Sequence, residues 1–275
     1  MSELLHTIRI DVAETLRARW FLVYALVFGG LVAVLIGFGI AESRVLGFTG
    51  LSRLLVTFIQ LTMAILPVFV LISTVRSLAG DREAGVLEYM LSLPVPLSAW
   101  YWGRFLGRFA VVLLPVLAAM AGAVVYGAAI GASIPWTQIV LYTALLVSLT
   151  VCFLGLGFLV SSLARGVDVA QGVAFLLWLT LVLFLDLILL GLMIKGQAPV
   201  GLVVAIAILN PLQAFRAAAM MLFDAELVML GPSAFVILDA FGTTGYFAWA
   251  LLYPLALGLV LGAIGYVSFV RRDLI

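Results

Sequence analysis

The sequence predicts an all-α membrane protein with six transmembrane helices, on three observations. Hydrophobic residues make up 66% of the chain and charged ones only 10%. Apolar runs long enough to cross a bilayer recur along it, and Lys and Arg collect on one side once those runs are threaded. A soluble core of 275 residues could not hide this much apolar surface, so the excess faces lipid. The hydrocarbon layer is roughly 30 Å thick and a helix rises about 1.5 Å per residue, so about 20 apolar residues make a span.

Residues 2–19 place Leu4, Ile8, Val12 and Leu16 at spacing four, with Glu3, Arg9, Glu14 and Arg17 on other faces, the pattern of a helix lying in the membrane surface. Residues 20–40 form the first span. That run exceeds the apolar part of a signal peptide, about 7–15 residues, and lacks a cleavage site, so it is expected to be retained. After a polar turn, residues 54–75 form the second span, where Pro67 is tolerated as a kink by packing against neighbours. Charge density then jumps: Arg76, Asp81, Arg82, Glu83, Glu88, Arg104 and Arg108 all fall within residues 76–108, which must lie in water or against a soluble partner. Residues 109–131 and 136–163 are the third and fourth spans, joined by the hairpin turn 132–135. The fifth runs from 169 to 194 and the last from 246 to 270, closed by Arg271, Arg272 and Asp273.

Residues 195–245 form an external segment. The apolar stretch 200–209 is too short to span, and Asn210-Pro211 interrupts helix because proline removes a backbone donor and crowds the preceding turn. Arg216 precedes the next apolar stretch, and Asp224 and Glu226 come after it. Short helices resting in the outer face of the membrane, or a re-entrant pair, are expected there in preference to a seventh span.

Threading six spans puts Arg9, Arg17, Arg19, Arg76, Arg82, Arg104, Arg108, Arg165, Arg271 and Arg272 inside, and Arg44, Arg53, Lys195 and Arg216 outside. Cytoplasmic loops carry the excess of Lys and Arg, so this arrangement is favoured, with both termini cytoplasmic. A seventh span would carry Arg271 and Arg272 across the membrane and weaken the asymmetry. The whole chain, residues 1–275, reads as one transmembrane domain.

Catalytic chemistry is not visible. His6 is the only histidine, so a serine or cysteine nucleophile within the spans has no imidazole to activate it. One histidine and one cysteine cannot supply a soft-metal site, and Cys152 lies in an apolar run as a small buried hydrophobe. The scattered methionines read as core filling and not as a metal relay. A net charge of +1 gives no reason to expect nucleic acid. A phosphate-binding loop needs a lysine after a glycine-rich turn, and the only lysine, Lys195, is followed by Gly196 and Gln197. The chain is therefore expected to be a non-enzyme that binds no cofactor. Asp186 lies about 12 Å from the outer end of its span, where an ionised carboxylate costs roughly 2.5–3.5 kcal/mol. It sits on a polar pathway, pairs with a cation from another helix, or stays protonated and hydrogen-bonded.

Residues 76–108 carry the functional inference. Gly80-Asp81-Arg82-Glu83-Ala84-Gly85 reads as a polar turn or helix end, and Val86, Leu87, Met90 and Leu91 come next at helical spacing, with Glu88 and Ser92 off that face. Leu93-Pro94-Val95-Pro96 stiffens the exit. Ser98 is placed to cap a new helix that brings Trp100 and Trp102 to the headgroups. A short amphipathic helix held by rigid joints between two spans is a lever, able to dock its apolar face in a groove on a soluble partner.

The run from Asp81 to Pro94, followed by Trp102-Gly103-Arg104, resembles the cytoplasmic motif of ABC-2 type transporter permeases, with Val86 where threonine is usual. The layout resembles that family across the chain: an amphipathic connector helix at 2–19, six spans, a coupling helix within 76–108, and short external helices before the last span. The resemblance implies a permease homodimer in a bacterial or archaeal cytoplasmic membrane, gripped by a separate ABC ATPase that carries ATP and Mg. On that reading Asp81, Arg82, Glu83, Gly85, Leu87, Glu88 and Leu91 form the ATPase-coupling site.

Leu46-Gly47-Phe48-Thr49, and Asn210-Pro211 followed by Phe215-Arg216, are similar to the permeases of nitrous-oxide reductase maturation. Those work with an ATPase and a periplasmic accessory protein, which would make Asn210, Pro211, Phe215 and Arg216 external partner contacts. Two rival classes stand beside this one. A nucleotide-independent secondary transporter or channel would call for polar groups at mid-membrane and repeated halves. A membrane anchor would use the external segment as its docking surface.

Overall fold

A computed structural model describes residues 2–19, 21–30, 48–87, 96–129, 136–184, 187, 191, 201, 205, 208–223 and 232–273. All regular structure among them is helical: α1 (Ser2–Arg17), α2 (Phe21–Gly30), α3 (Phe48–Glu83), α4 (Leu97–Ala129), α5 (Trp136–Leu163), α6 (Val167–Leu179, running into a π-helical turn Thr180–Phe184), α7 (Pro211–Phe223) and α8 (Pro232–Asp273, two helical pieces that meet at a kink at Gly242, φ 67°). Among the described residues, five stretches are long and apolar enough to cross a membrane: Leu61–Glu83, Leu97–Gly122, Trp136–Leu163, Val167–Phe184 and Gly242–Arg272. They correspond to the second through sixth expected spans. Of the first, Phe21–Gly30 is a shorter apolar helix, and the rest of that run lies outside the described residues, as does the turn 132–135.

The centre of the bundle is α5, which packs against α8, α3, α7 and α4. It is apolar on every side, so it has no face to give to water, and it is buried along most of its length. Lipid tails are as apolar as leucine, so helices in a bilayer associate through close packing, and small residues allow it. Gly155 of α5 and Gly258 of α8 meet backbone to backbone: a Cβ built on Gly155 would strike the Gly258 carbonyl, and one on Gly258 would strike the Val151 carbonyl.

Lipid-facing and protein-facing residues separate cleanly elsewhere. On α2 the buried Phe21, Tyr24 and Phe28 fall at helical spacing, while Leu22, Val23, Leu26 and Val27 are exposed. Tyr24 stacks on Phe69 at 3.6 Å between ring centroids. On α6 the exposed Val169, Val173 and Leu176 form one stripe, with Ala170 and Ala174 turned inward.

Helix α1 does not leave its polar side free: it packs on α4 through Thr7, Asp11 and Thr15, while Leu4, Ile8, Val12 and Leu16 are half-buried and Leu5 and Ile10 are exposed. Two bare glycines one turn apart on α4 make room for it, because a Cβ on Gly103 would lie 2.7 Å from the Thr7 Cβ and one on Gly107 2.8 Å from an Asp11 oxygen. Ser98, expected to cap α4, does not. The helix starts one residue earlier, with the Pro96 carbonyl accepting from Ala99 and Trp100. Trp100 is 3% exposed and stacks on Phe269, so it serves the protein interior and not the headgroups.

Candidate functional site

Helix α3 runs unbroken through Pro67 to Glu83, so the first part of the charged segment is the last turns of a long helix. Gly85 ends it with φ of 68°, a left-handed conformation that a side chain would strain, and donates its N–H to the Arg82 carbonyl. Just before that turn, three consecutive side chains reach three different places. Asp81 pairs with Arg104 of α4 at 2.5 Å. The Arg82 guanidinium donates to the Ala164 carbonyl at the end of α5 at 2.8 Å. Glu83 accepts from the Val167 N–H at the start of α6, also at 2.8 Å, placing a carboxylate where the helix dipole favours one. Gly166 leaves room for it, since a Cβ there would collide with the Glu83 carboxylate.

Arg104 and Arg108, one turn apart on α4, extend the network. Arg104 also donates to the Ser77 carbonyl and hydroxyl at 3.2 Å each and lies 4.6 Å over the Trp100 ring. Arg108 pairs with Asp11 at 3.3 Å and donates to the Ser73 carbonyl at 3.0 Å. Ser161 of α5 wedges against α3, donating to the Val75 carbonyl at 2.7 Å and accepting from the Ala79 N–H at 3.0 Å. Arg272 of α8 donates to the Leu163 carbonyl. The charged ends of α1, α3, α4, α5, α6 and α8 are thus cross-tied. Asp11 is 2% exposed, and its burial pushes the carboxyl above the ordinary range despite the opposing pull of Arg108 and Arg104.

Of the residues singled out for coupling, Asp81, Arg82 and Glu83 are therefore engaged within the chain. Leu87 is buried beyond the turn and Val86 is exposed, while Glu88 and Leu91 lie outside the described residues, as does Asp186. Sequence reading missed Asp11 and Ser161. The available signal for Asp11 was Thr7, Asp11 and Thr15 at spacing four, a polar stripe beside the leucine one.

At the opposite end, Asn210 stops one helical stretch and starts another. Its side-chain carbonyl accepts from the Leu212 N–H at 3.0 Å, and Pro211 occupies the first helical position, where its missing N–H costs nothing. The Asn210 amide donates to the Leu181 carbonyl in the π-helical turn at 2.9 Å. Trp249 and Tyr253 of α8 donate to the carbonyls of Ile208 and Leu209. Phe215 is buried against Tyr142, and Arg216 is half-buried. Asn210, Pro211 and Phe215 are interior residues here, so they hold α7 in the bundle and leave Arg216 the most accessible of the four external candidates. Helix α7 packs against α3, α5 and α8.

Among the described residues no three His, Cys, Asp or Glu side chains gather as metal ligands. Stacked apolar helices, close glycine crossings and an ion-paired polar end define a multi-pass α-helical membrane protein. Residues 5–274 match the ABC-2 family transporter protein family, and the chain belongs to that family. Similar proteins include the probable ABC transporter permease protein NosY of Pseudomonas aeruginosa, 28% identical over 226 residues that cover 79% of this chain and 81% of the relative. The protein of the same name from Stutzerimonas stutzeri is 27% identical over 227 residues, covering 78% and 80% respectively.

Proposed function

We propose that the chain is the membrane-spanning permease subunit of an ABC transporter, converting ATP hydrolysis on a separate ATPase chain into movement of its own helices. The carrying observation is the cross-tied charged end. A lever does work on a membrane only if it is joined to the spans, and here ion pairs and backbone bonds join the end of the second span to three other spanning helices. That end faces the cytoplasm, in accord with the excess of Arg on it. A permease that does no chemistry must draw its work from differential contact, the ATPase holding it differently in its two nucleotide states.

The resemblance to nitrous-oxide reductase maturation permeases, together with the NosY relatives, supports a role in assembling that copper enzyme. There, two copies of the chain act with an ATPase and a periplasmic accessory protein, driving either substrate export or remodelling of the periplasmic partner. The test is purification from the native membrane with the cognate ATPase tagged. The permease is expected to co-elute and to alter the ATPase rate. An ATPase that neither captures the chain nor responds to it would exclude this function.

A further inference from the structure

The Asp81-Arg82-Glu83 run sits in the motif expected to touch the ATPase, yet the geometry gives it a different task. All three side chains are already occupied, each by a separate helix: Asp81 by Arg104 of α4, Arg82 by the Ala164 carbonyl ending α5, and Glu83 by the Val167 N–H opening α6. Asp81 and Arg104 are largely sheltered, with side chains 18% and 12% exposed. A carboxylate that has given up water for a buried guanidinium can serve a second partner only by breaking that pair, which leaves a charge uncompensated. The left-handed turn at Gly85 ends the helix that carries this run, with Glu83 holding its cap at the surface and Asp81 and Arg82 partly buried.

We infer that Asp81, Arg82 and Glu83 are positioning residues of an internal hub that locks the third, fourth and fifth spans to the end of the second. The inference rests on the permease function proposed above and deepens it. The hub makes the inner ends of four spans move as one body, so motion delivered to the end of the second span reaches span five directly through the Glu83 cap. A cap needs an acceptor oxygen, not a charge. An intermolecular ion pair needs the charge.

That difference supplies the experiment. The full permease with its ATPase, in lipid nanodiscs, carries spin labels at two exposed positions, Arg76→Cys on α3 and Val169→Cys on α6. Wild-type protein is expected to show one distance, the same without nucleotide and with ATP trapped. Glu83→Gln should behave identically. Glu83→Ala, and Arg82→Met as a second break in case the first does not fold, should acquire a nucleotide-dependent second distance while ATPase capture stays within twofold of wild type. The inference is overturned if Glu83→Gln and Glu83→Ala both lose ATPase capture with the label distance intact, since the charge would then face the partner. Unchanged distances in both breaking variants overturn it equally. Failure of the wild-type chain to capture the ATPase at all would instead defeat the permease function on which the inference rests.

Discussion

At the residue scale, the buried Asp11 carboxyl makes the attachment of α1 sensitive to acid in an unusual direction. Its folded-state pKa is raised, so the native state binds its proton more tightly than the unfolded chain does. The resulting stabilisation is fully present below the unfolded value, about 3.9, and is lost as pH rises through the folded one. The melting temperature of wild type minus that of Asp11→Asn should therefore fall as pH is raised from acid toward neutral. At neutral pH the two should differ by about 1 kcal/mol or less, because Asn still accepts from Arg108. The α5–α8 crossing is a second residue-scale case. Gly155→Leu drives a side chain into the Gly258 backbone, which cannot swing aside, and should destabilise the fold by roughly 3 kcal/mol or more. Thermal aggregation in detergent measures it.

At the scale of elements, one asparagine at the start of α7 has two tasks, and the tasks can be separated. Asn210→Asp keeps the acceptor for the Leu212 N–H and drops the donor to Leu181 only when ionised, since the protonated carboxyl still has an O–H to give; Asn210→Ala drops both. Loss of the cap costs about 1 kcal/mol, so Ala should be the more damaging wherever Asp stays uncharged. Protease susceptibility of residues 211–223 reports the ranking. Here the sequence was half legible. Asn followed by Pro announces a helix start, but Phe215 and Arg216 beyond it read as surface because the apolar stretch around them is short. Only the packing against Tyr142 shows that α7 fills a gap between spans.

At the scale of the whole molecule, topology is the decisive quantity, and the buried Cys152 leaves the native chain a quiet background for thiol labelling. Cysteines placed at Arg165 and at Thr137, at opposite ends of α5 and both exposed, should label from opposite sides of the membrane. A membrane-impermeant maleimide on intact spheroplasts should reach Thr137→Cys and miss Arg165→Cys. Labelling of Arg165→Cys from outside would invert the bundle and move the cross-tied end away from any cytoplasmic ATPase.

The sequence by itself determined the class of architecture, because crossing a bilayer imposes length and polarity on each segment separately, and both can be read from local runs. It also placed the charged segment and the helix-breaking Asn210-Pro211 pair. What it could not supply was pairing between distant residues: Asp11 with Arg108, Asp81 with Arg104, Glu83 with the Val167 N–H. Those partners are far apart along the chain and meet only where the helices converge. A charge near the membrane looks the same in sequence whether it greets a partner or ties the bundle together, and the tertiary structure decides for the tie because each of these charges has a partner in the same chain, the two ion pairs sheltered from water and the Glu83 cap at the surface.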